Sequence, residues 1–445
     1  MAKRRYRKRK PVPTEPVTVT IESLSHDGRG VARVEGKTLF VDGALPGEKL
    51  ECSYTFVGSR HSEAKVDKVL TASPDRVEPH CSKAMICGGC NLQHMSPSQQ
   101  INAKQQALSE QLLHFGGVEP SSLMKPLQGD IWGYRRNARL GVRYVAKKGG
   151  VLVGFREKRN SFITDVDTCP VLDKRVGELI TPLRELLAGL EAKTSIPQIE
   201  VSLGDEQGAL VFRHLDDISE EDVLCLQEFG AEHHLWVYLQ PAGPDTVRRI
   251  YPDSIDAYLS YQLPEWSLDM LFLPVDFTQV NASINQMMVK RALEYLELKE
   301  DDRVLDLFCG LGNFTLPIAK HCSEVIGVEG SEAMVERGGM NASHNGISNA
   351  QFYSADLTKD FREQTWSKGG FDKVLLDPPR SGALEVVRNI SLLDPKRIVY
   401  VSCNPATLAR DAGELCRLGY KLLSAGVMDM FPHTAHVESI AVFEK

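Results

Sequence analysis

The sequence predicts an α/β protein with two further parts: a parallel, doubly wound sheet in the C-terminal third, a small β barrel near the N-terminus, and a mixed α+β region between them. Three observations carry this. From Asp302 onward, apolar strands Val304 to Phe308, Val325 to Val328, Val374 to Leu376 and Ile398 to Val401 alternate with helical stretches, the pattern of a sheet buried on both faces. From Val17 to Leu70, short alternating strands are separated by glycine-rich turns, as in a small antiparallel barrel. The length of 445 residues exceeds what one hydrophobic core usually supports.

The chain begins with Lys3, Arg4, Arg5, Arg7, Lys8, Arg9 and Lys10, a charge of +7 that leaves −14 for the remainder of a chain of net charge −7. Such a block repels itself, is expected to be disordered, and can displace counterions from nucleic-acid phosphates. It lacks the apolar segment and cleavage site of a secretory signal and the amphipathic, serine-rich spacing of a mitochondrial presequence. No stretch reaches the apolar length of a membrane span. A cytoplasmic protein with no membrane partner is therefore expected.

The barrel is read from Val17 to Ile21, Val31 to Val34, Thr38 to Val41, Lys49 to Phe56 and Ala64 to Leu70. Within it, Ser25-His26-Asp27-Gly28-Arg29-Gly30-Val31-Ala32-Arg33 offers arginines, a histidine and glycines that could lie against a phosphate backbone, or could form a plain hairpin loop. With Leu45-Pro46-Gly47-Glu48, the segment resembles a TRAM domain, a small RNA-binding barrel of RNA-modifying enzymes. Ten cysteines with three crowded into Cys81, Cys87 and Cys90 favour a metal site over disulfides. Ser96 to Phe115 reads as a helix, with Pro97 in its first turn and Gly116-Gly117 ending it. Trp132 to Pro274 is mixed, with strands near Arg139 to Tyr144 and Leu152 to Phe155 and a helix near Lys174 to Leu187. The stretch Trp132, Tyr134, Arg135, Arg136, Asn137 and Arg139 suits either a nucleic-acid surface or a solvated strand face.

In the C-terminal sheet, Cys309-Gly310-Leu311-Gly312-Asn313-Phe314 follows the first strand, where open α/β sheets bind ligands. Glu329 ends the next strand, where a carboxylate can accept from ribose hydroxyls, and Asp356 follows the third. The third glycine of a dinucleotide fingerprint is absent, so the loop suits S-adenosyl-L-methionine, which carries no phosphate. Asp377-Pro378-Pro379-Arg380 and Ser402-Cys403-Asn404-Pro405 end two further strands at the same cleft. Prolines and short polar groups make a stiff platform for a reactive thiol. A pyrimidine carbon 5 is too weak a nucleophile to take a methyl group unaided, and a thiolate adding at carbon 6 would activate it. Glu438, in His433-Thr434-Ala435-His436-Val437-Glu438, is the candidate base for the carbon-5 proton, with His433 and His436 as local competitors.

Asp-Pro-Pro-Arg, Ser-Cys-Asn-Pro and the late His-Val-Glu together resemble the bacterial RNA 5-methyluridine methyltransferase family, and the likeness runs through the whole chain. It implies a Rossmann-like S-adenosylmethionine-dependent methyltransferase domain, with Cys403 and Glu438 catalytic. Gln279 in Phe277-Thr278-Gln279-Val280-Asn281, with Phe308, Asn313, Glu329, Asp356 and Asp377, would line the cofactor and target-base pocket. Spacing alone leaves zinc and iron-sulfur open for the thiols. The resemblance implies a [4Fe-4S] cluster on Cys81, Cys87, Cys90 and the distant Cys169, as in the members acting on 23S ribosomal RNA, whereas tRNA-acting relatives lack it. The implied division is a tail over 1–14, a TRAM barrel over 15–74, a central domain of 75–95 and 130–274, and a methyltransferase domain of 96–129 and 275–445. The expected partner is 23S ribosomal RNA, with no obligate protein partner and a monomeric chain. The rivals are a tRNA uracil-C5 methyltransferase and a non-catalytic RNA-binding or ribosome assembly factor. An amino methyltransferase is disfavoured because Arg380 stands where its tetrapeptide has an aromatic residue, and a radical mechanism because the cysteine spacing differs.

Overall fold

A computed structural model describes residues 11–254 and 258–445. The basic run at residues 3–10 lies outside the described residues. The chain forms two compact units, one of Met1–Lys104 with Pro432–His436 and one of Gln105–Phe431 with Val437–Lys445.

In the first unit, strands Val17–Thr20, Ser23–Leu24, Gly30–Val34, Lys37–Asp42, Lys49–Val57 and His61–Thr71 make one six-stranded sheet. Its alternate side chains gather Val19, Ile21, Ala32, Leu39, Val41, Leu50 and Cys52 into a core. The antiparallel expectation holds at every pairing but one. Lys37–Asp42 runs parallel to His61–Thr71, because the hairpin of the two long strands inserts between the first strand and the fourth.

A core this small is supplemented by a buried ion pair. Glu48 is fully buried and accepts from Arg76 Nη2 at 2.8 Å and from the Leu45 N–H at 2.8 Å. Burial pushes its carboxyl up, but Arg76 and the Leu45 and Ser73 N–H donors outweigh this and hold it below the usual range. The Ser25–Arg33 turn is also built inward. Arg29 Nε bonds Asp27 at 2.8 Å, its Nη1 reaches Glu63 at 3.1 Å, and the guanidinium lies 4.4 Å from the Phe40 ring centroid. Of the two readings of that turn, the structural one accounts for Arg29.

The second unit contains two large sheets. One has the strand order Arg248–Tyr251, Trp236–Gln240, Gly208–Arg213, Gln198–Leu203, Asn137–Val145, Gly150–Gly154, a sequence of pairings that local patterning did not reveal. The expected helix over Lys174 to Leu187 is two, Lys174–Gly177 and Ile180–Gly189. They part where Gly177 packs so closely on the Cys169 carbonyl that an added Cβ would lie 2.5 Å from its oxygen. The helix expected from Ser96 is Pro97–Gln111, continued by a wider turn at Leu112–Gly116.

The other sheet has eight strands in the order Ala350–Ser354, Glu324–Glu329, Arg303–Leu307, Lys373–Leu376, Arg397–Ser402, Glu438–Glu444, Lys421–Met428, Ser122–Leu123. Its first five strands are parallel, and Glu438–Glu444 inserts antiparallel beside Arg397–Ser402. The chain leaves Arg303–Leu307 toward Glu324–Glu329 on one side and returns to Lys373–Leu376 on the other. The crevice at that reversal is where open α/β sheets hold ligands. Among the described residues no helix is long and apolar enough to cross a membrane.

Candidate active site

The carboxyl ends of five strands meet at this crevice. After Arg303–Leu307 the backbone enters the left-handed region at Phe308 (φ 65°), Gly310 (φ 54°) and Gly312 (φ 98°), before the short helix Thr315–Ala319. Gly312 is favoured by its φ, and a Cβ there would also stand a tight 3.2 Å from Phe352 Cζ. Phe308 pays the steric cost of positive φ as a non-glycine residue, and its N–H is held by the Val328 carbonyl at 2.8 Å.

Glu329 sits at the end of the neighbouring strand and is fixed by backbone donors: Gly310 N–H at 3.2 Å, Gly330 N–H at 2.7 Å and Ser331 N–H at 3.0 Å. Asn313 is part-buried in the loop and bonds Asn285 and Tyr261. Asp356 is exposed two residues beyond its strand. Its carboxylate takes the Thr358 hydroxyl at 2.6 Å and Lys359 Nζ at 3.0 Å, bonds that hold it down at about 2. Gln279 lies in a part-buried loop whose flanks are fastened: Asn137 Nδ2 donates to Thr278 Oγ1 at 2.7 Å, and the Arg136 N–H donates to the Val280 carbonyl at 2.9 Å. The aromatic and basic stretch before residue 140 thus has an internal task. Arg136 pairs with Asp205 and Tyr134 is buried, whereas Arg139 pairs with Glu200 while its side chain stays exposed on the strand face.

One cleft residue escaped sequence reasoning. Asp306 is fully buried inside an apolar strand, its Oδ2 accepts from the Thr315 hydroxyl at 2.6 Å, and its Oδ1 has no hydrogen-bond partner. Burial, partly offset by Thr315 and reinforced by Asp377 and Glu329, raises it to about 8. A lone acid between leucines in Val304-Leu305-Asp306-Leu307 was the available signal. An orphaned buried carboxylate oxygen beside a glycine cradle and a backbone-fixed glutamate fits a cationic, ribose-bearing cofactor such as S-adenosylmethionine.

On the other side of the crevice lie Asp377, Arg380, Cys403 and Glu438. The pairing of Ser402 with Ser439 across antiparallel strands brings Cys403, one residue beyond, alongside Glu438, one residue before. Ser439 Oγ also donates to the Ser402 carbonyl at 3.0 Å. Asn404 caps the helix Pro405–Arg417, accepting from the Ala406 N–H at 3.2 Å, and its Nδ2 donates to the Arg380 carbonyl at 2.9 Å. The thiol therefore stands just before a thirteen-residue helix whose positive end favours an anion. The loop from Asp377 is clamped further back: buried Asp411 accepts from the Ala383 N–H and the Tyr400 hydroxyl, both at 2.7 Å. Gly382 (φ 78°) leaves that approach open, since a Cβ would fall 2.7 Å from Asp411 Oδ2.

The electrostatics here are those of acids short of solvent. Burial, then Glu438 and Asp377, push the Cys403 thiol up to about 11, with Arg380 opposing. Burial and then Asp377 raise Glu438 well above the carboxylate range, with Arg380 again opposing. Burial lifts Asp377 to about 7. Of the three, Asp377 lies near neutrality, and each holds its proton more tightly than it would in water. Glu438 is the first residue of its strand, whereas His433 and His436 belong to the first unit. There the backbone carbonyl of His433 accepts from the Asn91 and Leu92 N–H groups, both at 3.0 Å.

Cys81, Cys87 and Cys90 lie in one turn-rich loop of the first unit, with Cys87 and Cys90 buried and the Gly89 N–H 3.4 Å from Cys87 Sγ. Cys169 belongs to the second unit. Among the described residues no group of three or more His, Cys, Asp or Glu side chains is gathered as a metal site. The fit to an iron-sulfur cluster is thus one of donor chemistry: thiols in a loop with an N–H directed at sulfur.

Residues 97–445 match the tRNA (uracil-5-)-methyltransferase family and residues 14–66 match the TRAM domain. The chain is 54% identical over 440 residues to the 23S rRNA (uracil(1939)-C(5))-methyltransferase RlmD of Alkalilimnicola ehrlichii, covering 99% of each chain. It is 52% identical over 430 residues to the protein of the same name from Legionella pneumophila strain Paris, covering 96% of this chain and 97% of that one. Among solved structures it is similar to Pyrococcus abyssi tRNA (uracil-54, C5)-methyltransferase in complex with S-adenosyl-L-homocysteine. The TM-score is 0.73 at 27% identity, covering 96% of this chain and 99% of that chain.

Proposed function

The chain belongs to the tRNA (uracil-5-)-methyltransferase family, and from that membership we propose that it methylates carbon 5 of a uracil in 23S ribosomal RNA, with Cys403 as covalent nucleophile. Its RlmD relatives, more than half identical over nearly the full chain, bear the name of a uracil-1939 enzyme, and the equivalent uridine is the proposed target. The observation that carries the mechanism is the juxtaposition of Cys403 and Glu438 by the Ser402 to Ser439 pairing, with Asp377 and Arg380 in the same cleft.

S-adenosylmethionine supplies the methyl group as an electrophile when bound. The glycine cradle, Glu329, Asn313 and Asp306 would hold it, and Gln279 and Phe308 would border the pocket. Cys403 loses its proton to the carboxylate cluster or to solvent, and its sulfur electron pair forms the bond to carbon 6. The carbon 5–carbon 6 π electrons move toward the carbon-4 oxygen as an enolate, which Arg380 is placed to favour. Carbon 5 then takes the methyl group with the enolate electron pair, and the electrons of the broken sulfur–methyl bond stay on sulfur, giving S-adenosylhomocysteine. Glu438, as carboxylate, removes the carbon-5 proton, the carbon-hydrogen electrons restore the double bond, and Cys403 leaves as thiolate. The target base must leave its stack to be reached on both carbons.

Cys81, Cys87, Cys90 and Cys169 are proposed to hold a [4Fe-4S] cluster that serves folding or RNA contact. Cys403, Glu438 and the cofactor loop all come from one chain, so a monomer suffices. The first experiment is incubation with 5-fluorouridine-substituted 23S rRNA and S-adenosylmethionine. Fluorine at carbon 5 blocks the last proton removal, so a denaturation-resistant, methylated adduct is expected in the wild type and none in Cys403→Ala. Absence of an adduct in a folded, cofactor-binding wild type returns the reading to a non-catalytic RNA-binding factor.

A further inference from the structure

Two residues outside the glycine loop determine what that loop can offer. Asn313 Oδ1 accepts from the Tyr261 hydroxyl at 2.8 Å and from Asn285 Nδ2 at 3.0 Å, while Asn313 Nδ2 donates to Asn285 Oδ1 at 2.9 Å. Both acceptor positions of the oxygen are filled and one N–H of the nitrogen is spent, leaving one N–H. Asn285 is 4% exposed, one turn inside the helix Ala282–Leu296. Tyr261 comes from the hairpin Leu259–Leu263 and Leu268–Phe272, and burial pushes its phenol up, so it remains a donor. The same hairpin is tied to the loop again: fully buried Asn341 accepts from the Leu271 N–H at 2.9 Å and donates to the Leu311 carbonyl at 3.2 Å.

We propose that Asn285 and Tyr261 are positioning residues for cofactor binding, fixing the carboxamide of Asn313 so that its remaining N–H faces the cofactor. The proposal rests on the reading of the glycine loop as the cofactor site. A freely rotating amide would present oxygen or nitrogen about equally. Here rotation breaks the reciprocal amide pair and the phenol bond in a part-dry site, where unmade bonds are costly. The helix that carries Asn285 begins directly after the Gln279 loop and is capped by Asn281, whose Oδ1 accepts from the Ile284 N–H at 3.3 Å. One rigid element therefore registers the cofactor loop against the loop that carries Gln279.

The test is calorimetric binding of S-adenosylhomocysteine to the full chain, which needs no turnover. Tyr261→Phe is expected to raise Kd about 5-fold and Asn285→Ala about 20-fold. The KM for S-adenosylmethionine should rise in parallel, with kcat at saturation and KM for RNA unchanged within about twofold. Asn345→Ala is the structural control: it removes two bonds to Asp269 in the same hairpin and one to the Asn341 carbonyl, at 2.8 Å each, without touching the glycine loop. Its affinity should match wild type. Unchanged affinity in folded Tyr261→Phe and Asn285→Ala proteins overturns the proposal, as does an equal loss in Asn345→Ala. No binding by the wild type would instead overturn the reading of the loop itself.

Discussion

The two halves of the crevice are made of the same residue types put to opposite use. On the cofactor side, Glu329 accepts from three backbone N–H groups, and Thr358 and Lys359 hold Asp356 down at about 2. On the reactive side, Glu438 and Asp377 are starved of solvent and crowd one another and Cys403, so each holds its proton more tightly. A binding site needs a permanent charge, whereas a site that passes protons needs groups whose charge is poised. Which role a carboxylate takes follows from its donors and burial.

Substitutions on the reactive side should therefore abolish turnover without loosening the cofactor. Cys403→Ala is expected to lower methyl incorporation by about 10⁴-fold or more, with the Kd for S-adenosylhomocysteine within about twofold of wild type. A large loss of binding there would break the contrast.

Glu438→Gln should slow turnover about 10³-fold while covalent protein-RNA complex accumulates on denaturing gels with unmodified RNA, because methyl transfer precedes proton removal. If no complex accumulates, Glu438 acts before the methyl transfer or not at all.

The cofactor side should show the reverse. Glu329→Gln is expected to raise the cofactor Kd about tenfold and to leave the pH dependence of kcat where it was. In the wild type, Asp377 at about 7 and Cys403 at about 11 are both raised, so their deprotonated forms grow as pH rises. The rate at saturating cofactor should climb from pH 6 toward pH 9, by up to about tenfold per unit where one such group controls it. A flat profile would show that neither proton limits the reaction.

Asp306 is the exception on the cofactor side, buried and raised as the reactive acids are, and it tests the comparison through stability. Its folded value of about 8 exceeds the ordinary value of about 3.9 for an unfolded aspartate. The folded state thus favours the protonated form, and stability without cofactor should fall as pH rises between those values and level off above about 8. Asp306→Asn should lessen that decline in thermal melts at pH 5 against pH 9, leaving the part owed to Asp377 and Glu438. The smallest effect is assigned to Asp356→Asn, a change of at most about threefold in cofactor Kd, because the side chain is exposed and already occupied.

Much of this molecule was legible in one dimension. The strands of the C-terminal sheet, the glycine turn, Glu329 and the motifs around Asp377 and Cys403 follow from period, composition and strand-end position. Those signals are local, and the backbone physics behind them is local too. The barrel was readable for the same reason, although its one parallel pairing was not.

What the tertiary structure decided depends on contacts between residues far apart in the chain. The order of strands in the sheet built from residues 137–251 has no sequence signature. Arg29 and Arg136 look like phosphate ligands until Glu63 and Asp205 are seen beside them. Asn285 and Tyr261 carry no motif, and only the fold brings them to Asn313. Cys403 and Glu438 were named separately from sequence, but their adjacency follows from a single antiparallel strand inserted beside a run of five parallel strands. Sequence determined which groups could react and where the backbone would turn. Burial and partnership, which set the charge each group carries, were decided by the fold, because desolvation and hydrogen bonding depend on everything within a few ångströms and not on the neighbours along the chain.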